Sequence, residues 1–231
     1  MERLTFDTSQ ALASGFASWT ADRLSAAVAE RGAALLIVSG GTTPLRFFDA
    51  LSRIAIDWPR VAITLADERR VPDDSPRSNA KLVREHLMKN AAAAARFVPL
   101  ADSRLSRDQE LVSAAARIAA LPMPADVVAL GMGEDGHTAS WFPGADKLAQ
   151  AIDPGTRALL LPIVAPGAPE PRLTLTARVI LRARAIALHI EGAAKLAALE
   201  KALGDGPIEE MPVRAVLRGA ADRTTIVSTG Q

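Results

Sequence analysis

Two patterns of apolar and polar residues, one typical of strands and one typical of helices, alternate along the chain. Short, mostly apolar runs without strict alternation are typical of strands covered on both faces, and they occupy 33–38, 61–66, 126–130 and 185–190. Apolar residues at helical spacing predict amphipathic helices over 10–31, 79–90, 106–121 and 193–203. Strands that alternate with helices imply parallel β-α-β units. We therefore expect an α/β fold, a doubly wound and mostly parallel sheet with helices on both faces.

Weaker patterns add short elements to this framework. They predict strands over 97–100, 158–164, 172–176 and 224–228, and a short helix over 213–218. Pro162 confines its strand to a sheet edge, because proline cannot donate a ladder hydrogen bond. Pro44 suits the first turn of a helix capped by Thr42 or Thr43. No repeat or linker divides the chain, so we expect a single domain over 1–231.

Composition narrows the class of protein. Of the 231 residues, 49% are hydrophobic, enough for a large core, and the formal net charge of +1 gives no basic excess for nucleic acid. Cysteine is absent, and the three histidines are too scattered for a metal motif. No apolar run is long enough to span a membrane, and the N-terminus lacks a signal-peptide pattern. We expect a cytoplasmic protein with no nucleic-acid or membrane partner. The sequence leaves the oligomeric state open, and a monomer is compatible with it.

Polar or glycine-rich residues follow four of the predicted strands, beginning at Ser39, Asp67, Gly131 and Glu191. In an open α/β sheet, ligands bind outside the carboxyl ends of the strands. We therefore expect these four clusters to meet in one site.

A histidine follows the glycine-rich cluster after strand 126–130. Gly131, Gly133 and Gly136 allow a sharp turn, and His137 comes next, between Asp135 and Thr138. An imidazole can accept or donate a proton near neutral pH. The three glycines also match a dinucleotide fingerprint, but Pro143–Gly144 excludes the long helix which that motif requires. A related match to a phosphate-binding loop lacks its lysine.

Candidate anion-binding groups come from three segments. Residues 39–43, Ser-Gly-Gly-Thr-Thr, precede a predicted helix and offer backbone N–H groups and hydroxyls, although an ordinary capped turn has the same pattern. Arg172 and Lys195 follow a proline-rich loop and a strand. The Asp67-Glu68-Arg69 run fits either an acid–base pair or an ion-paired strand end. We interpret His86 as a surface residue and His189 as a core histidine.

These clusters, in this order, resemble the 6-phosphogluconolactonase family, whose relatives include the glucosamine-6-phosphate deaminases. The matching segments are 39–44, 67–72 with Ser78-Asn79, 131–144, 172–175 and the Gly-x-x-Lys that ends at Lys195. Arg69 and Trp141-Phe142-Pro143 stand where the deaminase branch has other residues, and Trp141 also departs from the leucine expected in the lactonase branch. The resemblance implies a NagB/RpiA/CoA-transferase-like α/β fold with no metal or organic cofactor. It also implies hydrolysis of the sugar-phosphate substrate 6-phospho-D-glucono-1,5-lactone in the oxidative pentose phosphate pathway.

The resemblance assigns roles to individual residues. His137 is expected to be the general base, oriented by Asp67 or Asp135, between which the sequence does not choose. The phosphate is expected on Ser39, Gly40, Gly41, Thr42, Arg172 and Lys195, with Arg69 and Arg77 as additional contacts and Gly133 lining the site. One alternative is an isomerase or deaminase in which Asp67 removes a C2 proton. Another is a sugar-phosphate sensor, which would require an attached DNA-binding helix-turn-helix.

Overall fold

The fold is built on two sheets, as seen in a computed structural model that describes residues 1–230. The larger sheet has seven strands, all paired in parallel. In spatial order they are β1 (Glu2–Phe6), β10 (Thr224–Thr229), β9 (Ala185–Ile190), β6 (Val127–Gly131), β2 (Ala34–Val38), β3 (Val61–Leu65) and β5 (Arg96–Val98). The smaller sheet is antiparallel, with β4 (Asp67–Arg69), β8 (Arg172–Leu175) and β7 (Leu160–Ile163) in that order.

Eight α-helices connect these strands. They are α1 (Ser9–Arg31), α2 (Leu45–Ser52), α3 (Asn79–His86), α4 (Arg107–Ala119), α5 (Leu148–Ile152), α6 (Ala177–Ile180), α7 (Ala193–Leu203) and α8 (Arg214–Gly219). Short 3-10 helices cover Trp58–Arg60, Asn90–Ala94 and Ile208–Glu210. The predicted α/β architecture, a mostly parallel sheet flanked by helices, is confirmed.

The core forms where the unbroken apolar runs lie. Every residue of β2 and β3 is buried, as expected for central strands with helices on both faces. The first helix packs Leu12, Phe16 and Leu24 into this core. It ends at Gly32, whose φ of +75° is the left-handed conformation that glycine adopts at little cost.

Local differences from the sequence predictions have identifiable causes. Strand β1 was not predicted, because an edge strand with mostly exposed residues carries a weak hydrophobic pattern. Neither Thr42 nor Thr43 caps α2, which begins at Leu45 with Pro44 at the N-cap and no side-chain cap. Helix α3 ends at His86, short of the predicted residue 90. The prediction that Pro162 lies in an edge strand is confirmed, since β7 is the outer strand of the small sheet.

The order of the large sheet reverses direction between β2 and β6. From β2 the chain adds β3 and β5 on one side, and then returns to add β6, β9 and β10 on the other. The loops that leave β2 and β6 therefore diverge and open a crevice at the carboxyl end of the sheet. Both glycine-rich clusters of the sequence lie at this point.

Candidate active site

The turn after β6 places His137 at the mouth of the crevice. The backbone N–H of Gly133 donates to the His137 carbonyl at 2.9 Å, and the Thr138 hydroxyl donates to the Gly131 carbonyl at 2.8 Å. Gly136 has a φ of +77°. A Cβ added at Gly133 would lie 2.2 Å from the His137 ring. Any larger side chain at 133 would therefore displace the imidazole from this position.

Asp135 holds the imidazole of His137 from one side. Its Oδ1 lies 2.5 Å from the ring Nδ1 and accepts the His137 backbone N–H at 3.1 Å. Burial raises the pKa of Asp135, but the side-chain and backbone hydrogen bonds from His137 outweigh it, so that the pKa lies below its usual value. An ionised Asp135 can only accept, which places a proton on Nδ1 and leaves Nε2 as the basic nitrogen. The structure thus places Asp135, and not Asp67, against His137.

Phe142 holds the other side of the same ring. Its ring stacks on the imidazole with centroids 4.1 Å apart and an angle of 28° between the planes. The side chain of His137 keeps 30% of its surface exposed, so the ring is fixed in direction and still accessible.

Asp67 lies in the same crevice but bonds to other groups. Its carboxylate accepts the Ser140 hydroxyl at 2.5 Å and the Asn79 amide at 3.3 Å, and it lies 3.6 Å from a guanidinium nitrogen of Arg172. The small sheet causes this arrangement, because β4 pairs Asp67 with Thr174 and Arg69 with Arg172. Asp67 is 4% exposed. We interpret Asp67 as the anchor of a positively charged wall of the crevice, which is formed by Arg69 and Arg172.

The loop after β2 forms the opposite wall. Gly40 packs against Asn79 so closely that an added Cβ would lie 1.9 Å from the amide oxygen. Gly41 has a φ of +92° with open space beside its Cα, on the crevice side. Lys195, near the start of α7, donates to the Thr43 hydroxyl at 3.0 Å. The loop and the lysine predicted from separate parts of the sequence therefore lie in contact.

Three arginines surround the crevice at different depths. Arg172 is 8% exposed, lies 3.6 Å from both Asp67 and Glu170, and places its guanidinium 4.9 Å from the centre of the Phe142 ring. Burial lowers the pKa of Arg172 from its ordinary value. Arg69 lines the crevice and donates to the Arg77 carbonyl at 2.6 Å. Arg77 itself is exposed, pairs with Glu170 at 2.8 Å and lies outside the lining.

These walls enclose a cleft of about 240 Å³. All but two of the predicted site residues line it, the exceptions being Asp135, behind His137, and Arg77. Four buried polar atoms of the lining have no hydrogen-bond partner within residues 1–230: Ser39 Oγ, Arg69 Nε, Asn79 Oδ1 and Arg172 Nε. Buried polar groups are normally satisfied, so these four atoms mark a polar region that the protein's own residues leave incompletely paired.

Several residues of the site carried no sequence signal of their role. Phe142 and Ser140 belong to the recognised 131–144 segment, but only the fold shows that one stacks on His137 and the other binds Asp67. His189 is buried as predicted, at 3% exposed, yet it also lines the cleft. Trp141, unexpected at its position, is fully buried and donates from its indole to the Leu175 carbonyl at 2.9 Å.

Two further findings concern possible partners. Across residues 1–230 there is no group of three or more histidine, aspartate or glutamate side chains arranged to hold a metal ion. No helix in that range is both long and apolar enough to cross a membrane.

The point where the strand order reverses holds a histidine, a carboxylate and a positively charged wall. Such a site is typical of α/β proteins that act on small anionic substrates. A family model described as glucosamine-6-phosphate isomerases/6-phosphogluconolactonase matches residues 7–226. The chain belongs to that family, as its motifs predicted.

Sequence relatives of the chain carry the lactonase name. A 6-phosphogluconolactonase of Mesorhizobium japonicum is 54% identical, over 90% of this chain and 87% of its own length. One from Pseudomonas aeruginosa is 47% identical, over 89% and 87%. These relatives confirm the predicted enzyme class.

Solved structures agree with the sequence relatives. A crystal structure of a 6-phosphogluconolactonase from Shewanella baltica superposes with a TM-score of 0.92 at 43% identity, covering 99% of this chain and 97% of that one. A monomeric glucosamine-6-phosphate deaminase superposes with a TM-score of 0.80 at 20% identity, covering 99% and 97%. The second likeness concerns the fold alone.

Proposed function

We propose that this chain hydrolyses 6-phospho-D-glucono-1,5-lactone to 6-phospho-D-gluconate, with His137 as the general base. The lactonase relatives support the reaction, and the cleft supports the roles of the residues. A δ-lactone is an activated ester, so a water molecule can attack it without a covalent nucleophile on the protein.

The His137–Asp135 pair supplies the proton transfers. Asp135 keeps the proton on Nδ1, so Nε2 takes a proton from the attacking water. The imidazolium that forms is stabilised by the Asp135 carboxylate, and it then protonates the ring oxygen as the C–O bond breaks. Phe142 limits the ring to one plane and so keeps Nε2 directed at the attacking water.

The positively charged wall and the 39–43 loop hold the phosphate. Ser39, Gly40, Gly41 and Thr42 offer donors in the loop before α2, and Lys195 and Arg172 bring positive charge to the same cleft. Arg69 also lines the cleft and adds a further guanidinium to it. Arg77, outside the lining, acts through Glu170 on the position of Arg172.

One observation carries the assignment of the base: the imidazole of His137, fixed by Asp135 and Phe142, is the proton-accepting group at the mouth of the cleft. The test is a coupled assay of lactone disappearance with spontaneous hydrolysis subtracted. We expect His137→Ala to reduce turnover by ~10²–10⁴-fold, the usual range for a lost general base, with the fold retained by circular dichroism. Near-full turnover in this variant would remove His137 from the mechanism.

The deaminase alternative requires Asp67 to remove a C2 proton. In this chain the Asp67 carboxylate is bonded by Ser140 and Asn79 and lies beside Arg172, which supports a structural role. We therefore expect no ammonia release from glucosamine 6-phosphate. The cleft is lined by residues of one chain, so a monomer is compatible with the proposed activity. We further propose a single domain over 1–231, located in the cytoplasm.

A further inference from the structure

A second histidine lies in the cleft and has no part in the mechanism above. His189 is the fifth residue of β9, 3% exposed, opposite Gly131 of β6 in the sheet register. Its ring contacts the edges of Phe16 and Phe47, with centroids 5.5 and 6.5 Å away. It lines the cleft together with Lys195 and the 39–43 loop. An imidazole thus lies at the end of the cleft that we assign to the phosphate.

The ring of His189 is oriented by a carboxylate. Its Nε2 lies 2.8 Å from Oε1 of Glu191, the residue that follows β9. The hydrogen bond from His189 is the largest cause holding the pKa of Glu191 below its usual value. An ionised Glu191 can only accept, so Nε2 carries a proton. The pair leaves the second ring nitrogen, Nδ1, for a ligand.

The charged groups around His189 come from several elements. Besides Glu191, the first turn of α7 contributes Lys195, and α2 contributes Arg46, which acts on Glu191. Helix α1 contributes the Ser9 hydroxyl, which also bonds to Glu191. Phe16 and Phe47 are uncharged, and the only titratable group on the β6 side of the lining is His137. A dianion bound here would face Lys195 directly and would favour a protonated His189 between itself and Glu191.

We propose that His189, oriented by Glu191, is a further binding residue for the substrate's phosphate and contributes to the preference for phosphorylated lactones. The proposal rests on the proposed function, since it names a residue of the same cleft. A buried histidine with a purely structural role would affect both classes of lactone equally. A phosphate contact affects only the phosphorylated one.

The kinetic test compares His189→Gln with the unmodified protein on 6-phosphogluconolactone and on glucono-1,5-lactone. We expect kcat/KM for the phosphorylated lactone to fall by about tenfold or more, mainly through KM, the effect of one lost charge-assisted hydrogen bond. The fall on the unphosphorylated lactone should be much smaller. Glu191→Gln should act in the same direction, more weakly. His86→Gln, in α3 and outside the cleft lining, is the matched control.

A second measurement uses the unmodified protein, so it does not depend on how a variant folds. The chain has three histidines, and their ring ¹⁵N signals can be assigned with the His86 and His137 variants. Titration with 6-phosphogluconate should shift the His189 signals toward the protonated form, whereas gluconate should not. His86 serves as the internal reference.

The outcomes separate this inference from the proposed function. Equal losses on both lactones in His189→Gln, or His189 signals that 6-phosphogluconate leaves unchanged, would overturn the inference while the lactonase assignment stands. An unmodified chain that does not hydrolyse the phosphorylated lactone would overturn the proposed function. The titration would still decide whether His189 binds phosphate.

Discussion

Asp135→Asn tests the geometry of the base most directly, because it removes one charge and almost no volume. In the unmodified protein the carboxylate lies 2.5 Å from Nδ1 of His137 and also accepts the backbone N–H of His137. A neutral amide can bond to either tautomer of the ring, and it no longer stabilises the imidazolium formed when water is deprotonated. The variant therefore separates the orienting role of Asp135 from the presence of the imidazole.

The magnitude follows from the exposure of the pair. A hydrogen bond to a charged group contributes ~1.5–3 kcal/mol. The side chain of Asp135 is 49% exposed, and water screens such a pair, so the lower part of that range applies. At about 1.4 kcal/mol for each factor of ten, we expect kcat to fall by about 10- to 30-fold with little change in KM.

The assay is the pH profile of kcat at saturating lactone, corrected for spontaneous hydrolysis at each pH. Removing an anion beside the imidazolium disfavours the protonated ring, so the acidic limb of the Asp135→Asn profile should move to lower pH. Glu134→Gln, which changes the adjacent exposed acid, should stay within twofold of the unmodified enzyme. The reasoning is refuted if Asp67→Asn moves the acidic limb and Asp135→Asn does not.

Asp135→Asn should also change how the unfolding free energy depends on pH. The pKa of Asp135 lies below 3.8 in the folded chain, so the unfolded chain binds more protons as the pH falls through this range. The ionised carboxylate therefore stabilises the fold above the unfolded value, and this contribution is lost as the pH falls through the folded value. In urea titrations, the difference in unfolding free energy between the unmodified protein and Asp135→Asn should be present at pH 7 and should disappear well below pH 3.8.

Other parts of the site lead to three further predictions. Unphosphorylated glucono-1,5-lactone should be a poorer substrate by about 10³-fold, because it loses two or three charge-assisted hydrogen bonds. Lys195→Ala should narrow the difference in kcat/KM between the two lactones. Equal efficiency on both lactones by the unmodified enzyme would contradict the phosphate site. Gly133→Ala should lower kcat severely, because its Cβ would displace the His137 ring, whereas Gly204→Ala, with a φ of −72° and no neighbour closer than 3.5 Å to the added Cβ, should retain activity. Incubation with EDTA should leave turnover unchanged, and a loss that one divalent ion restores would show that the reaction needs a metal.

The alternating pattern of the sequence was sufficient to predict the α/β class and most of the central strands. Runs such as 34–38 and 61–65 are apolar throughout because both faces are covered, and that is a local property. The chemical groups at the strand ends were also visible in the sequence, because ligands of an open α/β sheet bind outside the carboxyl ends of its strands. The motifs were also sufficient to predict the family.

Tertiary structure decided which of these groups touch. Asp67 and Asp135 were equivalent candidates in the sequence, and β4 pairing with β8 drew Asp67 toward Arg172 and away from His137. His189 was predicted to be a core residue, and only the pairing of β9 with β6 brings it to the cleft that the 39–43 loop also lines. Contacts between residues far apart in sequence depend on strand order and register, which no local pattern encodes. The sequence therefore determined the chemical groups of the site, and the order of the strands determined their partners.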